Sequence, residues 1–206
     1  MPTKNIIGII GTAGRGEDYD KLDISKWEGM KAAVERIICH DICGFSTELF
    51  KRACLVSGGA AFADYITVNF YLRKLVNKLI LHLPCDFVPD SNCPIFNPSD
   101  RTGQIANYYH QRFCNKLGKE EYASRKMILK AIKMGAKTTV SNGFFERNSL
   151  VARDSDYLIA LTFGKGAKVK NGGTKDTVKK FIELKGNNNT FHVDLHTLEI
   201  FSPIKL

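Results

Sequence analysis

Short apolar runs typical of buried β-strands alternate along this chain with longer runs that have the spacing of amphipathic helices. The strand-like runs cover residues 5–10, 53–57, 78–83, 137–141, 157–163 and 190–195. The helix-like runs cover residues 24–42, 60–74, 102–117, 119–134, 148–153 and 173–184. Strands that alternate with helices usually pair in parallel through right-handed crossovers, with helices on both faces of the sheet. The order therefore predicts a three-layer α/β fold with an open parallel sheet.

Glycine-rich segments follow three of the predicted strands. Their sequences are Gly11-Thr12-Ala13-Gly14-Arg15-Gly16, Ser57-Gly58-Gly59-Ala60 and Gly172-Gly173-Thr174. In an open parallel sheet, ligands bind beyond the carboxyl ends of the strands, and a helix N-terminus there offers free N–H groups to an anion. Glycine is also common in strand-to-helix turns simply because it tolerates a positive φ. Three such segments at one edge favour a phosphate-binding site.

Two common nucleotide-binding motifs are absent from these segments. Gly11–Gly16 lacks the second glycine of the dinucleotide fingerprint and the lysine of a Walker loop. No acidic residue stands clearly at the end of the second predicted strand to bind a ribose. A standard NAD dehydrogenase or a P-loop nucleotidase is therefore not expected.

The chain carries a net charge of +9 and has a pI of about 9.2. Basic residues cluster on both sides of the Gly172-Gly173 segment, in residues 165–170 and at Lys175, Lys179 and Lys180. A positive rim attracts nucleotides, nucleic acids or acidic surfaces, although a solvated basic surface has the same composition. Charge thus favours an anionic ligand without identifying it.

Several of these motifs together resemble the SLOG superfamily, which includes the lonely-guy phosphoribohydrolases and the DNA-processing protein A family. The similar segments are Ser57-Gly58-Gly59-Ala60 with Asp64, Glu146-Arg147-Asn148 with residues 155–161, and residues 172–177. The resemblance implies a Rossmann-like sheet in a single nucleotide-binding domain over residues 1–206. Residues 85–134 have no counterpart in it, and we expect them to form an insertion or lid.

The resemblance does not extend to a catalytic carboxylate. In the hydrolase branch a glutamate follows the phosphate loop, and alignment on Gly172-Gly173 and Thr177 places Lys180 there. A lysine cannot replace a carboxylate in proton transfer or in stabilising an oxocarbenium-like centre. The catalytic residues are therefore unknown, with Arg147, Glu146 and Asp64 as weak candidates. Whether the protein is an enzyme stays open, and an enzyme would be a nucleotide N-glycosidic hydrolase.

The leading hypothesis is a protein that binds a nucleotide or nucleotide-derived ligand and senses or sequesters it. The alternatives are a nucleotide N-glycosidase or phosphoribohydrolase, and a single-strand DNA-binding protein of the DNA-processing type. Arg147 is the expected charge partner of a phosphate, although an arginine in a turn can also pair on the surface with Asp154 or Asp156. The predicted ligand-binding residues are Gly11, Thr12, Ala13, Gly14, Arg15, Ser57, Gly58, Gly59, Asp64, Arg147, Asn148, Gly172, Gly173, Thr174 and Thr177.

Other residues point to little further chemistry. The six cysteines include no Cys-x-x-Cys pair, and His192 and His196 fall at a strand rather than at helical spacing, so we expect neither a metal nor a cofactor. Aromatic residues between Tyr108 and Phe113 are consistent with stacking on a base or with core packing. No apolar run has the length of a membrane span. We expect a cytoplasmic homo-oligomer that binds no membrane.

Overall fold

The computed structural model describes residues 5–206, in which nine strands form one seven-stranded sheet and one hairpin. In chain order the strands are β1 (Ile6–Gly11), β2 (Cys54–Ser57), β3 (Lys78–Leu83), β4 (Phe87–Val88), β5 (Ile95–Phe96), β6 (Lys137–Val140), β7 (Tyr157–Thr162), β8 (Thr190–Asp194) and β9 (Ile200–Phe201). The sheet order is β6-β3-β2-β1-β7-β8-β9. All neighbours pair in parallel except β9, which is antiparallel to β8.

Helices connect these strands. They are α1 (Asp18–Lys21), α2 (Ile24–Arg36), α3 (Thr47–Arg52), α4 (Tyr65–Leu72), α5 (Arg101–Lys116), α6 (Ala123–Lys133), α7 (Phe144–Asp154) and α8 (Gly173–Lys185). Side-chain caps fix several starts, since Asp23, Ser46 and Asp100 accept backbone N–H groups at the beginnings of α2, α3 and α5. No helix within residues 5–206 is long and apolar enough to cross a membrane.

The central strands are buried on both faces, and successive side chains enter different hydrophobic clusters. Ile7 and Ile9 of β1 belong to a large cluster with residues of α2, α4, α5 and α6. Ile10 belongs to a smaller cluster with Val151 of α7 and Phe181 of α8. Because strand side chains alternate between faces, the helices cover both sides of the sheet. The three-layer, Rossmann-like α/β fold predicted from the sequence is therefore confirmed, apart from the antiparallel β9.

Some predicted boundaries were wrong for identifiable backbone reasons. The helix predicted over residues 60–74 begins only at Tyr65, because Gly59 and Phe62 adopt positive φ angles of 66° and 56°. The helix predicted over residues 24–42 ends as an α-helix at Arg36 and continues as a π-helical segment, Ile37–Ile42. The helix predicted over residues 148–153 already begins at Phe144. Arg147 therefore lies in a helix and not in a turn.

Short elements were not anticipated from the sequence. The four-residue helix α1, the six-residue helix α3 and the two-residue strand β9 are too brief for a hydrophobic pattern to repeat within them. The proline-containing stretch 84–100, which lies outside the predicted strands and helices, contains the antiparallel hairpin of β4 and β5. Each of these elements joins or extends the predicted framework without changing its order.

The 85–134 segment comprises β4, β5, α5 and α6. It contributes Phe96, Phe113 and Ile128 to the large hydrophobic cluster. Phe113 packs edge-on against Trp27 and Phe62, with ring centroids 5.2 and 4.7 Å away. The segment is thus fixed to the main core. Of the domain predicted over residues 1–206, residues 1–4 lie outside the described part of the chain.

Candidate functional site

A cavity of about 190 Å³ lies at the carboxyl ends of β1, β2 and β7. The loop after β1, the turn after β2, the start of α7 and the loop that enters α8 line it together. The structure thus brings the three glycine-rich segments to one place. All predicted ligand-binding residues except Gly14 and Ser57 line this cavity: Gly11, Thr12, Ala13, Arg15, Gly58, Gly59, Asp64, Arg147, Asn148, Gly172, Gly173, Thr174 and Thr177.

A buried ion pair joins the turn after β2 to α7. Nη1 of Arg147 donates a hydrogen bond to Oδ2 of Asp64 over 3.1 Å, and these side chains are 12% and 4% exposed. The same carboxylate oxygen accepts the N–H groups of Gly58 and Ala60, at 3.0 and 3.4 Å. Burial raises the pKa of Asp64 and lowers that of Arg147, and the opposite charge of each partner counteracts both shifts.

Gly58 is the point where the guanidinium of Arg147 crosses the backbone. A Cβ at this position would overlap Nη1, Cδ and Cζ of Arg147. Glycine is therefore required here by close approach. The surface pairing considered for Arg147 does not occur, since Asp154 pairs instead with Arg153, at 2.7 Å.

Gly14 and Ser57 support the cavity from outside its lining. The N–H of Gly14, at a positive φ of 76°, donates to the Thr12 hydroxyl over 3.1 Å. The Ser57 hydroxyl lies 2.8 Å from that of Thr67 and accepts the N–H of Gly59. Both residues fix the conformation of a loop, which is a different role from the ligand contact expected of them.

Glu146 is placed away from the cavity. It is exposed, and its carboxylate accepts the N–H of Asn142 over 2.6 Å at the start of α7. The structure therefore does not bring this catalytic candidate into the cavity lining. Lys180, at the position of the hydrolase glutamate, pairs with Asp176 at 2.8 Å and donates to the carbonyl of Phe145.

A second buried carboxylate in the cavity was missed from the sequence. Asp18 accepts the hydroxyl of Thr12 over 2.8 Å and the ammonium of Lys170 over 2.7 Å. This hydrogen bond raises the pKa of Lys170. Asp18 lies on the unanticipated one-turn helix α1, and a lone aspartate after a glycine loop carries no recognisable pattern. It connects the loop after β1 to the loop that follows β7.

Arg15 gives the cavity a cation with no carboxylate partner among residues 5–206. Its Cζ lies 5.3 Å from the ring centroid of Tyr109 and 5.4 Å from that of Phe144. The ring of Phe144 is also 5.6 Å from Cζ of Arg147, and the positive charge of Arg15 contributes to the lowered pKa of Arg147. Two guanidinium groups therefore share one aromatic neighbour, and only one of them is neutralised.

The N-terminus of α8 adds backbone donors to this positive environment. The first N–H groups of a helix have no partner within the helix, and Gly172 has no side chain to cap them. A Cβ at Gly172 would meet no atom within 4 Å, and one at Gly173 would meet only Nδ2 of Asn148, at 3.7 Å. An anion can therefore approach these amides closely, and the helix dipole favours it there.

The chemistry available in the cavity suits binding better than bond cleavage. Asp64 and Asp18, the carboxylates of its lining, are both held by cations and hydrogen bonds. His110 also lines it, but burial lowers its pKa to about 4 and both ring nitrogens have partners. Within the described residues, no group of three histidine, cysteine, aspartate or glutamate side chains could hold a metal ion.

Comparison with known proteins finds a viral relative of this chain. The chain is 33% identical over 190 residues to a protein of Acanthamoeba polyphaga mimivirus named "Uncharacterized protein R261". The aligned region covers 92% of this chain and 95% of the viral protein. No family model matches the chain. No solved structure matches it either.

Proposed function

Because this chain belongs to the same family as the mimivirus protein R261, whose name states no activity, we propose its function from the cavity alone. The protein binds a nucleotide or a nucleotide-derived small molecule at the carboxyl edge of the sheet. It senses or sequesters this ligand and does not cleave it. We also propose that the family is part of the SLOG superfamily and that the protein acts as a cytoplasmic homo-oligomer.

One observation carries the proposal: the uncapped N-terminus of α8 and the guanidinium groups of Arg15 and Arg147 border the same cavity. Three cationic side chains line it, against two carboxylates. Backbone amides and guanidinium groups together are the donors that phosphate groups prefer. Gly172 and Gly173 have no side chains at the start of α8, which leaves room for phosphate oxygens.

The hydrolase alternative receives less support than binding. Cleavage of an N-glycosidic bond needs a carboxylate free to accept a proton or stabilise positive charge. Asp64 is occupied by Arg147 and two backbone N–H groups, and Asp18 by Lys170 and Thr12. The single-strand DNA alternative rests on the net charge and on the resemblance of Ser57-Gly58-Gly59-Ala60 and Asp64 to the DNA-processing branch.

Calorimetric titration with AMP, GMP, CMP, UMP, ADP-ribose and a short oligonucleotide tests the proposal, together with native mass spectrometry for a co-purifying nucleotide. We expect at least one nucleotide to bind and to stay intact. Arg147→Ala should weaken this binding about 10- to 150-fold, the effect of a lost charge-assisted hydrogen bond. Arg153→Ala, on the same helix but 62% exposed, is the matched control and should have no effect.

Three results would contradict the proposal. Release of free base would indicate a hydrolase. Oligonucleotide binding that weakens steeply with salt, with no small ligand, would indicate a DNA-binding protein. Unchanged nucleotide affinity in a folded Arg147→Ala protein would remove Arg147 from the site. Arg147→Lys, which keeps the charge but loses the two-pronged donor, serves if the alanine variant does not fold.

A further inference from the structure

The 85–134 segment, which the family resemblance leaves unexplained, forms one side of the cavity. Phe96, Ala106, Tyr109 and His110 of this segment all line it. The glycine-rich segments and the start of α8 also line the cavity. The lining therefore combines backbone amides with aromatic and apolar groups.

His110 connects helix α5 of this segment to the turn after β2. It is fully buried, and its Nε2 lies 3.0 Å from the carbonyl oxygen of Gly59. Because a carbonyl only accepts, Nε2 carries the proton, and Nδ1 accepts the hydroxyl of Ser124 at 3.0 Å. The imidazole also stacks on Phe96, with centroids 5.5 Å apart and an interplanar angle of 24°. Helix α5 is thus held in register with the turn after β2.

Tyr109 and Phe144 present half-buried rings to the cavity thus formed. Tyr109 is the neighbour of the anchored His110 on α5, and Phe144 is the first residue of α7. The guanidinium of Arg15 lies within 5.4 Å of both ring centroids. Aromatic faces beside an arginine plane are the surfaces on which nucleobases stack in a manner tolerant of base identity. A bare phosphate or sugar phosphate has no aromatic ring to stack on them.

We infer that Tyr109 and Phe144, with Arg15, form a nucleobase subsite, so that the 85–134 segment selects ligands carrying a planar aromatic base. This inference rests on the proposed nucleotide-binding function and assigns its two ends. The phosphate end of the ligand lies at the N-terminus of α8 and Arg147. The base end lies between α5 and the start of α7. Residues 85–134 are therefore a specificity element.

The test compares two probes, the tightest-binding nucleoside monophosphate and ribose 5-phosphate, in calorimetric titrations of the full chain. Wild-type protein should bind the nucleotide more tightly than the sugar phosphate. Tyr109→Ala and Phe144→Ala should each weaken the nucleotide about 5- to 150-fold, the range for loss of one stacking partner, and leave ribose 5-phosphate unchanged. Tyr109→Phe should retain the affinity. Tyr108→Ala is the matched control, since Tyr108 is adjacent, 51% exposed and outside the cavity lining.

The possible failures are distinguishable. Equal losses for both probes would mean that the rings only support the loops, which overturns the base subsite. Unchanged nucleotide affinity in folded Tyr109→Ala and Phe144→Ala proteins, with a loss in Arg147→Ala, would also overturn it and leave the proposed function standing. If neither a nucleotide nor ribose 5-phosphate binds to the wild-type protein, the proposed function fails and the base subsite fails with it.

Discussion

Gly58 and Arg147 lie so close together that a Cβ at position 58 would overlap the guanidinium, and their contact shapes the part of the cavity that we propose to bind phosphate. The guanidinium lies across the Cα of Gly58 and reaches Asp64, whose carboxylate also accepts the N–H of Gly58. One methyl group at position 58 would therefore displace the arginine from its partner. Removal of one partner from a buried ion pair is costly because the remaining charge stays desolvated.

Gly58→Ala should lower the free energy of unfolding by about 2–4 kcal/mol, through overpacking and separation of the ion pair. It should also weaken nucleotide binding, because Arg147 no longer points to the cavity. Urea denaturation and calorimetry measure the two effects. In an Arg147→Ala background the added methyl group has room, so the further cost of Gly58→Ala should be much smaller. Equal costs in both backgrounds would show that the methyl group acts through something other than Arg147.

The sequence singled out residues that line the cavity, but it did not reveal their partners. Gly58, Asp64 and Arg147 all stood out through short motifs. The pairing of Arg147 with Asp64 spans 83 positions and follows only from the sheet order. Asp18 and Phe144 belong to no motif, and Tyr109 was ambiguous between core and ligand, because a single aspartate or aromatic ring has no spacing by which to recognise it.

Helix α8 illustrates what a helix end contributes to a site. Its first turn has free amides, glycine before it, and Thr174 as its second residue. Asp176 already lies in this turn and is paired with Lys180. A second, unpaired acidic side chain there would interact favourably with the helix dipole and with the free N–H groups. The same charge would repel a bound phosphate. Stability and affinity should therefore change in opposite directions.

Thr174→Asp should leave the free energy of unfolding unchanged or raise it by about 0.3–1 kcal/mol. It should weaken nucleotide binding on the order of tenfold or more, because a fixed negative charge adjoins the phosphate. Thr174→Asn has nearly the same shape without the charge and should retain most of the affinity. Thermal unfolding measures the stability, and calorimetric titration the nucleotide affinity, of the wild-type protein and the two variants. Unchanged nucleotide affinity in Thr174→Asp would place the phosphate elsewhere.

Hydrophobic periodicity predicted the positions of elements well where the amphipathic run was long. The prediction of 102–117 differs from α5 (Arg101–Lys116) by one residue at each end. The start of α4 was missed by five residues because Phe62 adopts a left-handed conformation, which is unusual for a bulky side chain and invisible in a hydrophobic pattern. Local backbone geometry, rather than periodicity, set the boundaries that the sequence did not reveal.

At the scale of the whole molecule, buried histidines make the free energy of unfolding depend on pH. Burial lowers the pKa of His110 to about 4, and it also lowers the pKa values of His82 and His192. An unfolded histidine takes up its proton near pH 6.5. Between that pH and the folded pKa the unfolded chain therefore binds more protons, and acid favours unfolding.

The free energy of unfolding should fall as the pH drops from 6.5 to 4, with a contribution of about 3 kcal/mol from His110. Urea denaturation at pH 7.5, 6, 5 and 4 measures this slope. His110→Gln cannot take up the proton, so its profile should be flatter over the same interval, whatever its stability at pH 7.5. Parallel profiles for the two proteins would rule out the contribution of His110.

The order of strands also dictates when the protein can fold during its synthesis. β1 lies in the middle of the sheet, yet it pairs on one side with β2 and on the other with β7. The N–H of Ile6 donates to the carboxylate of Asp156, 150 positions later. A ribosome that has produced β1, β2 and β3 has therefore released a sheet with one side of its central strand unpaired. Such non-local pairing slows folding, and an unpaired strand in a nascent chain is open to association with other chains. β1 is therefore paired on both sides only after β7, whose Tyr157 pairs with Ile7, has been translated.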